Sequence, residues 1–112
     1  MKKSGFVLAG LFWLNVFFSG AGLAEESVYE LVIKDHRFSP AILAAPANQK
    51  IRITVNNEDA TPEEFESYAL NREKVVAGNS RIVLFVGPLK PGVYKFFGDF
   101  HQDTAQGVLE VK

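Results

Sequence analysis

The stretch Tyr94-Lys95-Phe96-Phe97-Gly98-Asp99-Phe100-His101-Gln102-Asp103-Thr104-Ala105-Gln106-Gly107-Val108-Leu109-Glu110-Val111 decides the fold. Residues 93–97 and 108–111 are rich in β-branched and aromatic side chains, the composition of strands. Between them lies a segment of small, polar and acidic residues, the composition of a loop. That loop carries one imidazole, His101, and two carboxylates, Asp99 and Asp103.

Outward from this hairpin the same grammar holds back to Ser27. Tyr29, Leu31 and Ile33 alternate with Glu30 and Lys34, and Ile51, Ile53 and Val55 alternate with Arg52, Thr54 and Asn56. Period two over several residues predicts half-buried strands, and no stretch keeps a helical period for three turns. Ile82 to Val86 is a continuous apolar run bounded by Ser80 and Gly87-Pro88, which predicts a strand covered on both faces. Ser39-Pro40, Pro46-Ala47-Asn48-Gln49, Ala77-Gly78-Asn79 and Lys90-Pro91-Gly92 supply the turns. Short strands at regular spacing predict an all-β sandwich or barrel, and so short a chain has to close its core between two sheets.

The first 24 residues read differently. Lys2 and Lys3 precede an apolar run from Phe6 to Phe18, and Ala21-Gly22-Leu23-Ala24 leads into Glu25 and Glu26. Basic start, apolar centre and small residues before charge are the layout of a secretory signal peptide. An uncleaved anchor competes, because residues 5–24 approach the roughly 20 needed to span a bilayer. The cleaved form is the expectation, and without a Cys after the run a lipoprotein is not. Residues 25–112 then form one domain in the bacterial periplasm, with no stable membrane insertion.

That domain contains no Cys, so neither disulfides nor thiolates support it. Two of the twelve bases, Lys2 and Lys3, belong to the leader, which leaves 13 acids against 10 bases and a formal charge of −3. Such a balance argues against nucleic acid or an anionic membrane surface as partner.

Taken together, Phe38-Ser39-Pro40, Pro46-Ala47-Asn48, residues 51–57, Gly87-Pro88-Leu89-Lys90-Pro91-Gly92-Val93-Tyr94 and the final hairpin resemble the cupredoxins. The resemblance implies a Greek-key two-sheet sandwich. In that family the last loop carries Cys, then His three residues on, then usually Met. Here the Cys place falls on Gly98, the His place on His101 and the Met place on or near Thr104 or Ala105. Asn48 stands where the family usually has Gly, and Asn tolerates positive φ. More narrowly, Lys34-Asp35-His36-Arg37-Phe38, Glu63-Glu64-Phe65-Glu66-Ser67 and Gly98-Asp99-Phe100-His101 resemble the thiol-free periplasmic proteins of bacterial iron uptake, including the cupredoxin domain of EfeO-type proteins.

The family's first His follows the strand ending near Asn57. Its Pro-His matches Pro62-Glu63, and shifted registers put Glu64 or Glu66 there. In every register a carboxylate replaces an imidazole. The implied topology brings this loop, the last loop and the loop holding His36 to one end of the sandwich. The candidate metal ligands are therefore His101, Asp99, Glu66, Glu64, Glu63, His36 and Asp103. Imidazole and carboxylate suit Fe, Mn, Zn or Cu(II), whereas a type 1 blue copper centre needs a thiolate. Glu64 and Glu66 are favoured among the acids because Phe65 between them points inward. Ordinary readings stand beside these: an exposed His is commonplace, and the acidic run 58–66 has the composition of a solvated loop.

No Ser, His and Asp arrangement and no phosphate-binding loop is legible, so an enzyme is not expected. The expectation is a periplasmic accessory protein binding iron or Cu(II) and serving a membrane iron permease or other iron-uptake proteins. A metal-free interaction module and a copper electron carrier are its rivals. The sequence leaves oligomeric state open. If His101 is the central ligand, His101→Ala weakens metal affinity at least about tenfold in a calorimetric titration.

Overall fold

A computed structural model describes residues 26–112; the expected leader, residues 1–24, lies outside them. Nine strands follow in order: β1 Glu26–Lys34, β2 Arg37–Ser39, β3 Ile42–Ala45, β4 Lys50–Asn57, β5 Glu63–Ser67, β6 Arg72–Val76, β7 Ser80–Val86, β8 Gly92–Gly98 and β9 Gln106–Val111. A single 3-10 turn, Asp99–His101, sits between β8 and β9. The strands form two sheets, ordered β2-β1-β4-β7 and β3-β9-β8-β5-β6. Both sheets are mixed, since β1 pairs with β4 and β3 with β9 in parallel. The expected all-β two-sheet sandwich is the fold that forms.

Alternation explains the core. Leu31 and Ile33 from β1, Ile51, Ile53 and Val55 from β4, and Leu109 and Val111 from β9 face inward and are buried. At one end the core is aromatic. Phe38, Phe65 and Phe96 lie with centroids 5.1 to 6.1 Å apart, two pairs edge-on and one stacked. Such contacts contribute about 0.5–1.5 kcal/mol each beyond burial. They form a rigid floor beneath the loops of that end.

One expectation is corrected. β7 is not covered on both faces: it is the edge of its sheet, with Leu84 and Val86 inward and Phe85 44% exposed. The apolar run packs only at alternate positions. Its free edge is partly closed by Arg72, whose guanidinium donates twice to the Phe85 carbonyl, at 2.8 and 2.9 Å. Strands β2, β3, β5 and β6 add to the five runs read from apolar alternation. β5 and β6 were hidden by their charge, because their outward positions are acidic and basic rather than merely polar.

The corners behave as their chemistry dictates. Asn48 takes φ +63°, the left-handed conformation expected of it. Between β1 and β2 both loop residues, Asp35 and His36, have positive φ, +52° and +59°, the signature of a two-residue primed turn. Neither is Gly. The carboxylate of Asp59 offsets the cost by accepting both amides, Asp35 N at 2.7 Å and His36 N at 3.0 Å. Asn57, fully buried, in turn fixes the segment that carries Asp59. Its Nδ2 reaches the carbonyls of Thr61, Val76 and Ala77, and its Oδ1 accepts from Asp59 N.

Asn57→Ala leaves those carbonyls without their donor, and a lost buried partner costs about 1–3 kcal/mol. The expected outcome is a loss of at least about 2 kcal/mol in urea unfolding. It comes with release of the loop at residues 58–62, read as faster amide exchange at Asp35 and His36.

Candidate functional site

Three loops meet at the aromatic end: the β1–β2 turn with His36, residues 58–62, and the segment 99–105 with His101. The strand rule places the acids. β5 alternates, so Glu63, Phe65 and Ser67 point into the sandwich and Glu64 and Glu66 point away from it. The result is two separate groups rather than one.

The inner group centres on Glu63, which is 1% exposed. Its Oε1 accepts from the amides of Phe100 at 2.8 Å and Glu64 at 3.0 Å. Its Oε2 lies 2.6 Å from Nδ1 of the half-buried His101. An ionised carboxylate only accepts, so Nδ1 of His101 donates, and in the neutral ring Nε2 then carries the lone pair. His36 lies flat on the other ring, centroids 3.5 Å apart and planes 10° apart. Its Nε2 makes a long contact of 3.5 Å to Thr61 Oγ1. Imidazole lone pairs lie in the ring plane, so two parallel rings at this spacing do not aim at one ion.

The outer group is made of oxygen alone. Carboxylate atoms of Glu64, Glu66 and Asp99 all lie within 4.8 Å of one another on the outer face of the five-stranded sheet. Glu66 stands directly opposite Glu73 of β6, a like-charged cross-strand pair that costs stability. Partial burial, and then the neighbouring Glu73 and Asp99 carboxylates, push Glu64 up to about 7. Glu66 is raised by the same partial burial and by the same two neighbours. No Lys or Arg forms an ion pair with this group among the described residues, where the one salt bridge is His101 with Glu63.

Of the candidate ligands, the structure thus gathers Glu64, Glu66 and Asp99 on one face and joins Glu63, His101 and His36 inside. Asp103 is exposed and belongs to neither group. Sequence reasoning missed Glu73. Its signal was the hairpin itself: Ser67 pairs with Arg72 across a four-residue turn, so Glu66 falls opposite Glu73. Asp59 was read only as part of an acidic run. Against the upward push of partial burial, the amides of His36 and Asp35 hold its carboxyl below the ordinary value. Ser67 is buried, and its hydroxyl is occupied with the Lys95 carbonyl at 2.6 Å and the Leu70 amide at 3.0 Å.

Residues 6–111 match the family described as Cupredoxin-like domain. This chain belongs to the cupredoxin-like family. It is 52% identical over 95 residues to an uncharacterized protein of Rickettsia prowazekii (strain Madrid E), covering 83% of this chain and 76% of that one. Among solved structures, auracyanin A, a "blue" copper protein of Chloroflexus aurantiacus, is similar with a TM-score of 0.69 at 16% identity, over 79% of this chain and all of that one. A purple cupredoxin from Nitrosopumilus maritimus is similar with a TM-score of 0.58 at 20% identity, over 74% of this chain and 98% of that one. These likenesses show the shared cupredoxin fold.

Type 1 copper does not fit the residues of this family member. The chain has no Cys, Gly98 lies at the thiolate's place, and Nδ1 of His101 is already given to a buried carboxylate. Beside Nε2 of His101, the hard oxygens of Glu64, Glu66 and Asp99 on the outside are donors left open.

The raised carboxyls set a pH dependence. A carboxyl whose folded pKa lies above its unfolded value binds its proton more tightly when folded, so its contribution favours folding at low pH and fades as pH rises. For Glu64 that fading spans the interval from the ordinary carboxyl value of 4.5 to about 7. In chelator, the thermal midpoint is expected to fall across this interval, and Glu64→Gln is expected to flatten the dependence.

Proposed function

We propose that this domain is a periplasmic metal-binding accessory protein, not an enzyme, which takes its ion on the outer sheet face through Glu64, Glu66 and Asp99. The observation that carries the reading is the convergence of three carboxyl groups within 4.8 Å of one another, with no Lys or Arg paired to them among the described residues. Some point lies no more than about 2.8 Å from all three oxygens, close to the roughly 2.0–2.6 Å of metal–carboxylate bonds. A side-chain adjustment of under about 1 Å suffices to close the difference. Binding also relieves the repulsion among Glu64, Glu66, Glu73 and Asp99, which gives the ion a source of affinity beyond the bonds themselves.

Oxygen-only donors suit hard cations such as Fe(III) and Mn(II) and exclude Cu(I), while discrimination against Cu(II), which binds most divalent sites more tightly than Mn(II), falls to geometry and metal supply. The resemblance to thiol-free iron-uptake proteins supports iron as the cargo and a membrane permease or another periplasmic uptake protein as the recipient. An exposed, three-carboxylate site leaves coordination positions for a recipient's ligands, as hand-over requires. The leader-like segment supports the periplasm. His101 then serves the site from inside rather than as its central ligand.

A second reading, a metal-free interaction module, draws on exposed apolar side chains around the same sheet face. Tyr68 is 79% and Val93 64% exposed, and Phe97 packs edge-on against Tyr68. A calorimetric titration with Mn(II), Zn(II), Cu(II) and chelated Fe(III) separates the two. One-to-one binding that drops at least about tenfold in Glu66→Gln and in Asp99→Asn supports the metal site. Absence of binding to every ion leaves the interaction module.

A further inference from the structure

Gly98 is not glycine for the sake of its backbone. Its φ of −95° and ψ of 115° are ordinary extended values open to any residue. What the position lacks is room. A Cβ there would stand 2.6 Å from Cδ and 2.8 Å from Oε2 of Glu63, and 2.7 Å from Cβ of Ala105. Glu63 therefore fills the volume that a side chain at 98 would take. With Glu63 and Ala105 in place only a glycine fits at 98, so the acid and the glycine belong to one feature.

The partners of that acid show what it does. Oε1 holds two amides, those of Glu64 and Phe100. The first belongs to the strand that projects Glu64 and Glu66 outward, and the second lies one residue beyond Asp99. Oε2 holds His101, which completes the 3-10 turn begun by Asp99. Direct strand pairing between these segments is sparse: β5 and β8 share only the registers Phe65 with Gly98 and Glu66 with Phe97. At the end that carries the outer oxygens the Glu63 carboxylate ties the two backbones together, while Ser67 bridges the same strands further along, at the Lys95 carbonyl.

We propose that Glu63 is the positioning residue of the outer metal site, acting from the interior space that Gly98 leaves open beside His101. The role rests on the reading of Glu64, Glu66 and Asp99 as ligands. Glu63 itself does not ligate: both its oxygens are engaged and the residue is sealed from solvent. With the Glu63 oxygens engaged by protein donors, metal exchange takes place outside.

The test is a double-mutant cycle on the purified protein, Glu63→Ala, Gly98→Ala and both, with Mn(II) affinity and urea stability as readouts. Gly98→Ala displaces the carboxylate and is expected to weaken Mn(II) at least about tenfold, the cost usual for losing a residue that orients ligands. Adding Gly98→Ala to Glu63→Ala is expected to weaken Mn(II) less than Gly98→Ala does alone, because the contacts with Glu63 have gone and only that with Cβ of Ala105, at 2.7 Å, is left. Leu109→Ala, in the same core but paired with β8 only at Tyr94, four residues before Gly98, should lower the melting temperature while the Mn(II) affinity stays as in wild type.

Glu63→Gln keeps the size and the Oε1 acceptor, so its Mn(II) affinity should remain within about threefold. Its side-chain amide donates to Nδ1 of His101, which moves the ring proton from Nδ1 to Nε2 and is visible by 15N NMR. Additive losses in the cycle, or an affinity drop in Leu109→Ala equal to that in Gly98→Ala, overturn the positioning role while leaving the outer site standing. A wild-type protein that binds no Mn(II) or Fe(III) overturns the site and the role together.

Discussion

A carboxylate removed from water is stable only where donors replace the water it has lost. Glu63 meets that requirement with two backbone amides and one imidazole, all within 3.0 Å. Each bond has a structural consequence. The amide of Glu64 sets the start of β5, that of Phe100 sets the 3-10 turn, and the imidazole of His101 is drawn down onto the sandwich, where His36 stacks on it. His36 is held in turn by its turn geometry and by Asp59, which Asn57 positions. The chain of dependence runs from a buried acid to every loop at this end of the molecule.

Much of the architecture could be read from side-chain alternation. The inward sets Leu31 with Ile33 and Ile51 with Ile53 and Val55 are buried as their spacing requires, and the turn at Asn48 takes the conformation its amide side chain tolerates. What alternation does not encode is which strand lies at an edge. Ile82 to Val86 carries the composition of a central strand, but pairing partners decide coverage, and β7 has a neighbour on one side only. Charged strands were equally illegible as strands. In Glu63-Glu64-Phe65-Glu66-Ser67 the period-two signal is present, yet a buried acid at one inward position hides it.

The candidate site was legible as a set of residues but not as an arrangement. Phe65 does point inward and Glu64 and Glu66 outward, because strand parity is a local rule. Parity also assigns Glu63 to the interior, where sequence alone offers no clue that a glycine 35 positions later makes space for it. Nor does spacing show that His36 and His101 lie ring on ring, a relation fixed by two loops whose geometry depends on Asp59. Long-range complementarity of this kind resides in packing, and packing is a property of pairs distant in sequence.

The two groups of acids have opposite electrostatic fates, and the contrast explains their chemistry. Inside, one carboxylate is matched by three donors and has nothing left to offer an ion. Outside, Glu64, Glu66, Glu73 and Asp99 lie together with no base paired to them among the described residues, and partial burial together with this proximity raises the carboxyls of Glu64 and Glu66. Like charges in register on a sheet are a cost that the fold bears unless a proton or a cation neutralises them. Near neutral pH Glu64, pushed up to about 7, is only partly relieved by its proton, and a multivalent cation in that place gains what the repulsion would otherwise cost. Satisfying the interior acid with the protein's own donors is what leaves the exterior acids free to be satisfied by something else.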